Sequence, residues 1–155
     1  MGMFDFLSNA GKKLFHHGED NAEAIKKEIE GSFSELPVEG LVVDVADDTV
    51  ILAGLAKDIA TREKAILIAG NVEGVAHVNA DQLVSPEIVA ATNTRDLPEP
   101  VFYTIAKGDT LWGISEDFYK DGSKYPLIVE ANLEVIKDAD KIYPGQSIRI
   151  PELLA

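Results

Sequence analysis

A proline-containing stretch without helical or strand periodicity divides this chain. Residues 86–100 include Pro86, Pro98 and Pro100 among Ala, Thr, Asn and Asp residues, a composition typical of a linker. The stretch separates about 85 residues from a C-terminal part of about 55, and both sizes lie near the lower limit for independent folding. We therefore predict two small domains joined by this linker.

Composition limits the partners of these domains. The 155 residues are 46% hydrophobic and 26% charged, which is close to the average for soluble globular proteins. The net charge of −13 opposes approach to nucleic acids and anionic lipids, so we expect neither as a partner. The chain has no cysteine, which excludes disulfides, thiolate chemistry and cysteine-based metal sites.

The sequence also leads to expectations about the location of the protein and its oligomeric state. The longest apolar stretches fall far short of the roughly 20 residues that span a bilayer, so we expect no membrane insertion. Asp5 precedes the basic pair Lys12 and Lys13, the reverse of an export signal. We expect a cytoplasmic protein, and a monomer.

The first part of the chain has the pattern of a small α+β unit. Phe4, Leu7 and Leu14 give one apolar face, which predicts an N-terminal helical segment over residues 1–17. Over residues 18–85 the predicted order is helix, strand, strand, helix, strand. The supporting features are the Asp20 cap before Ala22, Ile25, Ile29 and Phe33, the strands Leu41–Ala46 and Thr49–Leu55 around Asp47–Asp48, the Asp58 cap, a left-handed helix end at Gly70–Asn71, and the strand Val75–Val84. These elements predict a small sandwich with the helices on one face of the sheet.

The second part, residues 101–155, has a strand, helix, helix, strand pattern. Its predicted strands are Val101–Ile105 and Gln146–Pro151. Thr110 is expected to cap the first helix, which carries Leu111, Ile114 and Phe118 inward, and the second helix runs through Leu127, Ile128 and Ala131.

Specific motifs now support a resemblance to known families. The second part resembles a LysM domain over its whole length, through Tyr103–Ile105, Lys107–Ser115, Asn132 and Ile142–Pro151. The first part is similar to a BON domain in its element order and in Gly54, Gly70 and the Gly74–Val75 step. The pair, with the opening residues 2–11, resembles the family of small cytoplasmic BON–LysM potassium-binding proteins of bacteria. The resemblance implies a BON α/β sandwich followed by a LysM βααβ domain, and an ion sensor that changes conformation on binding K⁺, with a role in osmotic stress.

Potassium is large and weakly hydrated, so selective sites surround it with many neutral carbonyl oxygens. The turn Gly70–Val75 follows a helix end, where unpaired carbonyls and the negative pole of the helix dipole lie beside two glycines. Combined with the resemblance, this predicts K⁺ ligation by backbone oxygens of Leu7, Ala10, Gly70, Val72 and Val75. The alternative is an ordinary helix end followed by a strand.

The LysM resemblance also implies a groove for peptidoglycan-type, N-acetylglucosamine-containing glycans. Its residues would be Gly108, Asp109, Thr110, Leu111, Ile142, Tyr143 and Pro144. The same residues suit two turns and a helix cap, so folding alone also accounts for them.

The remaining polar residues suggest neither catalysis nor a side-chain metal site. His16 and His17 are adjacent and diverge by about 100° on a helix, and His77 is expected to face solvent. Asp138 and Asp140 lack the remaining spacing of a calcium loop. No nucleophile motif or phosphate-binding loop is present, so we expect no enzyme. Trp112 either stacks on a sugar or is a partly exposed packing residue.

Overall fold

The computed structural model describes residues 3–6, 21–90, 101–133, 135–136 and 142–151. Two separate clusters of buried apolar side chains form, one in each predicted domain. The α+β class and the predicted BON-like and LysM-like element orders are confirmed.

The first domain is a mixed four-stranded sheet. Its elements are β1 (Met3–Asp5), α1 (Asn21–Ser32), β2 (Val38–Ala46), β3 (Thr49–Ala56), α2 (Ile59–Gly70) and β4 (His77–Val84). The strand order is β1-β4-β3-β2, and β3 and β4 run parallel because α2 crosses between them. Ile25 and Ile29 of α1 and Ile66 of α2 are fully buried with Leu52 of β3 and Val78 of β4.

The predicted hairpin is confirmed, and its turn has a local cause. Residues 47–48 join β2 to β3, and Asp47 adopts a left-handed φ of 55°. Aspartate tolerates this conformation better than most residues do. His77 lies half exposed beside the buried Val78, as the alternation of side chains predicted.

The predicted N-terminal helix is wrong where the structure describes it. Met3–Asp5 form a strand that pairs antiparallel with residues 77–79 of β4. Phe4 and Phe6 alternate with Asp5, a pattern that suits a strand. By pairing with β4, β1 also supplies hydrogen-bond partners to backbone groups at the edge of that strand. The His77 Nδ1 atom also lies 2.7 Å from Asp5 Oδ1. Residues 7–20, which include the predicted Asp20 cap, lie outside the described residues.

Helix α2 begins and ends where predicted, but the backbone conformation at its end differs. The Asp58 carboxylate accepts a hydrogen bond of 2.7 Å from Thr61 N, so the predicted cap is confirmed. Asn71 follows the helix with a φ of −84°, so the left-handed closure predicted at Gly70–Asn71 is wrong. The positive φ occurs later, at Gly74. Gly70 has a different role, because the Phe6 ring occupies the space of its missing side chain.

The second domain comprises β5 (Phe102–Thr104), α4 (Leu111–Tyr119), a 3₁₀ turn (Gly122–Lys124), α5 (Tyr125–Ala131) and β6 (Ser147–Arg149). Thr110 caps α4 by accepting a hydrogen bond of 3.0 Å from Gly113 N, as predicted. Leu111 and Ile114 are buried, but the inward position predicted for Phe118 is wrong, since 42% of this residue is exposed. The buried Ser115 lies inward instead, and its hydroxyl donates to Asp121 O.

The predicted linker begins with a short helix, α3 (Pro86–Ala90). Glu87 Oε2 accepts a hydrogen bond of 3.0 Å from Ile59 N, so α3 is tied to the first residue of α2. Residues 91–100 lie outside the described residues. Across the described ranges, no helix has both the length and the apolar character needed to cross a membrane.

The Asp58 cap gives a test of the fold. Asp58→Ala should lower the free energy of unfolding by about 1 kcal/mol, because the first turn of α2 loses a hydrogen-bond acceptor. Burial acts to raise the pKa of Asp58, but the hydrogen bonds from Thr61 outweigh it and the pKa is lowered. The stability that the ionised Asp58 carboxylate contributes is therefore fully present above its unfolded-state pKa. This contribution is lost as pH falls through the lower folded-state pKa. Urea unfolding at several pH values measures both effects, with Asp58→Asn as a control that keeps the cap without the titration. Equal stability of wild type and Asp58→Ala at neutral pH would contradict this role.

Candidate cation site and domain interface

The C-terminal end of α2 turns sharply into the core. Asn71 N donates to Leu67 O at 2.9 Å, and Val75 N donates to Val72 O at 3.1 Å. The side chains of Val72 and Val75 are fully buried, which anchors the turn. Gly74 has a φ of 100°, a conformation in which a side chain would be strained. Three of the predicted ligand residues, Gly70, Val72 and Val75, therefore lie in one tightly constrained turn.

The N-terminal strand is fixed against this turn. A Cβ atom on Gly70 would lie 2.2 Å from the Phe6 ring, so the ring packs directly on the Gly70 backbone. Phe6 N also donates to Ala76 O at 2.8 Å. Leu7 and Ala10, the other predicted ligands, lie outside the described residues.

The oxygen atoms that this turn could offer to a cation are mostly uncharged backbone carbonyls. Glu73 is the only acidic residue in the turn. Within the described ranges, no group of three or more His, Cys, Asp or Glu residues could hold a metal ion. Backbone carbonyls at the negative end of a helix dipole are suited to a weakly hydrated monovalent cation rather than to a hard divalent one.

The small two-stranded sheet of the second domain has two different faces. Tyr103 and Ile148 face the helices of their own domain and contribute to its core. Phe102 and Arg149 face the BON-like domain: the Phe102 ring centroid lies 5.3 Å from that of Phe4, and Arg149 pairs with α2. The predicted LysM unit thus packs its sheet against β1 and α2.

Two asparagine side chains cover the outer edge of β6. Asn132, from the same domain, donates to Arg149 O and accepts from Arg149 N, both at 2.8 Å. Asn71 does the same across the interface, donating to Ser147 O at 2.8 Å and accepting from Ser147 N at 2.7 Å. Each amide replaces one residue of a missing neighbouring strand. The turn that carries the predicted carbonyls is therefore bonded directly to the second domain.

A buried ion pair lies beside this contact. Arg149 Nε lies 2.9 Å from Glu63 Oε1, and both side chains are largely shielded from water. Burial raises the pKa of Glu63, although the charge and hydrogen bond of Arg149 act to lower it. Removing one partner of such a pair strongly destabilises the contact, because the remaining charge stays buried without an opposite charge.

The two segments that carry the predicted glycan-groove residues are joined by a hydrogen bond at the strand ends. Gly145 N donates to Ile105 O at 2.7 Å, which places residues 142–145 beside the turn that follows β5. Asp109 accepts from the Tyr103 hydroxyl and from Ala106 N. The bond to Asp109 raises the pKa of Tyr103 to about 12, and the same bond is the main cause that lowers the pKa of Asp109. Burial raises the pKa of Tyr143.

Several of these groups already serve the fold. The Asp109 carboxylate and the Thr110 hydroxyl are used within their own turn and cap, and Leu111 is buried. The exposed Gly108 has a φ of 89°. The folding explanation therefore accounts for the hydrogen bonds of Asp109 and Thr110.

Comparison with known proteins agrees with both domains. The BON domain family model matches residues 17–85, and the LysM domain family model matches residues 103–151. A protein of Escherichia coli named Potassium binding protein Kbp is 33% identical over 98% of this chain and 99% of its own length. The chain belongs to the BON–LysM family.

Two further relatives match less completely. A Deinococcus radiodurans protein named Uncharacterized protein is 32% identical over 84% of this BON–LysM chain and 51% of its own length. Uncharacterized protein YqbP of Bacillus subtilis is 36% identical over 34% of this chain and 28% of its own length.

The contact between Phe6 and Gly70 in this BON–LysM protein is testable. Gly70→Ala should lower the free energy of unfolding by about 2 kcal/mol, because the added Cβ displaces the ring. Hydrogen exchange of the Phe6 amide should accelerate as β1 loosens. Gly31→Ala is the matched control: its Cβ meets nothing within 4 Å, and alanine favours a helix, so stability should rise by up to about 1 kcal/mol. Unchanged protection of the Phe6 amide in Gly70→Ala would show that the ring does not hold the strand.

Proposed function

We propose that this protein is a cytoplasmic, non-enzymatic potassium-binding protein and that K⁺ is its specific ligand. The observation that carries the proposal is the helix end at Gly70–Val75, against which Phe6 holds the N-terminal strand by packing on Gly70 and by donating to Ala76 O. The name of the Escherichia coli relative supports the same ligand. The proposed ligands are the backbone oxygens of Leu7, Ala10, Gly70, Val72 and Val75.

The chemistry of these donors favours potassium over smaller ions. Neutral carbonyl oxygens replace the loose water shell of K⁺ without holding the harder ions that carboxylates prefer. The net charge of −13 raises the local concentration of every cation but does not distinguish one from another. Selectivity in this proposal therefore comes from the rigid turn and the anchored strand.

Binding of the ion is also proposed to change the arrangement of the domains. The same turn supplies Asn71, whose amide bonds both backbone groups of Ser147 in the LysM domain. An ion that orders the turn would favour the docked form, and docking would raise ion affinity by the same factor. This coupling would let the protein act as a potassium sensor.

A cation titration tests the ligand. Amide NMR spectra of the full chain should change saturably with KCl, and much less with NaCl or LiCl at the same ionic strength. The largest shifts should fall on residues 70–76 and on Phe6. Equal responses to the three salts would mean that screening alone acts, and the proposed site would be rejected.

A substitution at the interface tests the coupling. Arg149→Ala leaves Glu63 buried without its cation, so the free energy of docking should weaken by about 3 kcal/mol. The dissociation constant for K⁺ should rise, and small-angle scattering in KCl should show a more extended chain. Lys57→Ala is the control: Lys57 pairs with Glu35 at 3.5 Å, both side chains are exposed, and neither property should change. Unaltered K⁺ affinity in Arg149→Ala would separate ion binding from docking and refute the coupling.

The LysM domain supports a second candidate, a peptidoglycan-binding adaptor. The favouring observation is the hydrogen bond from Gly145 N to Ile105 O, which joins the segment before β6 to the residue that follows β5. Retention of the full chain on insoluble peptidoglycan, with release by soluble N-acetylglucosamine oligomers, would support this function, and absence from the bound fraction would remove it.

A further inference from the structure

The LysM domain exposes an aromatic pair that neither proposed site uses. Trp112 of α4 and Tyr125 of α5 have ring centroids 6.2 Å apart and planes inclined by 47°. Trp112 is 54% exposed and Tyr125 is 37% exposed. Both rings therefore present large apolar surfaces to water.

The indole is held in place from beneath. A Cβ atom on Gly122 would lie 2.3 Å from Trp112 Nε1, so the ring rests on the glycine backbone. The 3₁₀ turn around Gly122 is itself fixed, because Asp121 Oδ1 accepts from Ser123 N and Asp121 O accepts from Ser115 Oγ. A supported, exposed ring costs little conformational entropy when it binds a ligand. The Trp112 ring is thus preorganised to accept a partner.

The surroundings of the pair indicate a cationic ligand. Glu116 is exposed and lies one helical turn after Trp112, on the same face of α4. The whole chain carries a net charge of −13, which attracts basic partners over long range. Trp is the aromatic side chain that binds cations best, and a planar guanidinium also stacks on its ring. The two rings already lie within contact distance of each other, so a ligand must lie across their outer faces rather than between them.

We propose that Trp112 and Tyr125 form a docking surface for an arginine side chain on a basic, extended segment of a partner protein. Glu116 supplies the opposing charge. Lys124, next to Tyr125, opposes the same ligand and limits its affinity. This surface acts independently of potassium binding.

Fluorescence tests the surface directly, because Trp112 is the only tryptophan in the chain. The full chain is titrated with an end-blocked peptide of alternating glycine and arginine, at fixed low ionic strength. The matched peptide carries citrulline, which keeps the shape of arginine without its charge. The arginine peptide should quench Trp112 saturably, and the citrulline peptide should quench it weakly.

Three variants separate the surface from general attraction to an acidic protein. Tyr125→Leu removes one ring and keeps an apolar side chain, so the dissociation constant should rise roughly two- to fivefold. Lys124→Gln removes the opposing charge and should lower the dissociation constant. Phe118→Leu is the control, because Phe118 is 42% exposed but contacts Tyr103 instead, and it should bind as wild type does.

Any of three outcomes would overturn the proposal. Equal quenching by both peptides would exclude recognition of charge. Equal affinity in wild type and Tyr125→Leu would show that attraction is general. A response of Trp112 to N-acetylglucosamine oligomers with none to the arginine peptide would assign the rings to glycan binding instead.

Discussion

The contact between the Phe6 ring and the Gly70 backbone is the constraint on which the candidate cation site depends. Phe6 lies directly against the last residue of α2, where any side chain on Gly70 would displace it. Because Phe6 N also bonds Ala76 O, the N-terminal strand is fixed on both sides of the turn. A site made of backbone oxygens needs such rigidity. Carbonyl oxygens cannot adjust to an ion by changing a side-chain rotamer, so the backbone must already hold them in place.

Helix α2 contacts the start of the linker, strand β4 and strand β6 of the LysM domain. Its first residue is bonded by Glu87 at the start of the linker. Arg62, in its first turn, donates to Leu83 O and Ala80 O where the register of β4 shifts. Its end carries Asn71, which holds the edge of β6. A change at this helix end would therefore reach the LysM domain through a direct hydrogen bond.

The electrostatics of the protein have two separate roles. The acidic surface attracts cations and basic segments without distinguishing among them, and salt screens this attraction over roughly 8 Å. Discrimination requires short-range geometry, which our two proposals assign to neutral carbonyls at the helix end for an ion and to the aromatic faces of Trp112 and Tyr125 for an arginine. The buried pair Glu63–Arg149 belongs to neither role and fixes how the domains meet.

The sequence alone determined the elements whose signals are local. The caps at Asp58 and Thr110 and the hairpin around Asp47 depend on residues a few positions apart, so their patterns predicted them correctly. The helix end at Gly70 was also predicted, and with it the turn of the candidate site, whose ligands stay predictions. Only the tertiary structure decided that Phe4 lies in a strand, that Phe118 faces water and that Asn71 bonds the LysM domain. Asn71 and Ser147 are 76 positions apart, and no local periodicity records which distant backbone edge an amide will meet.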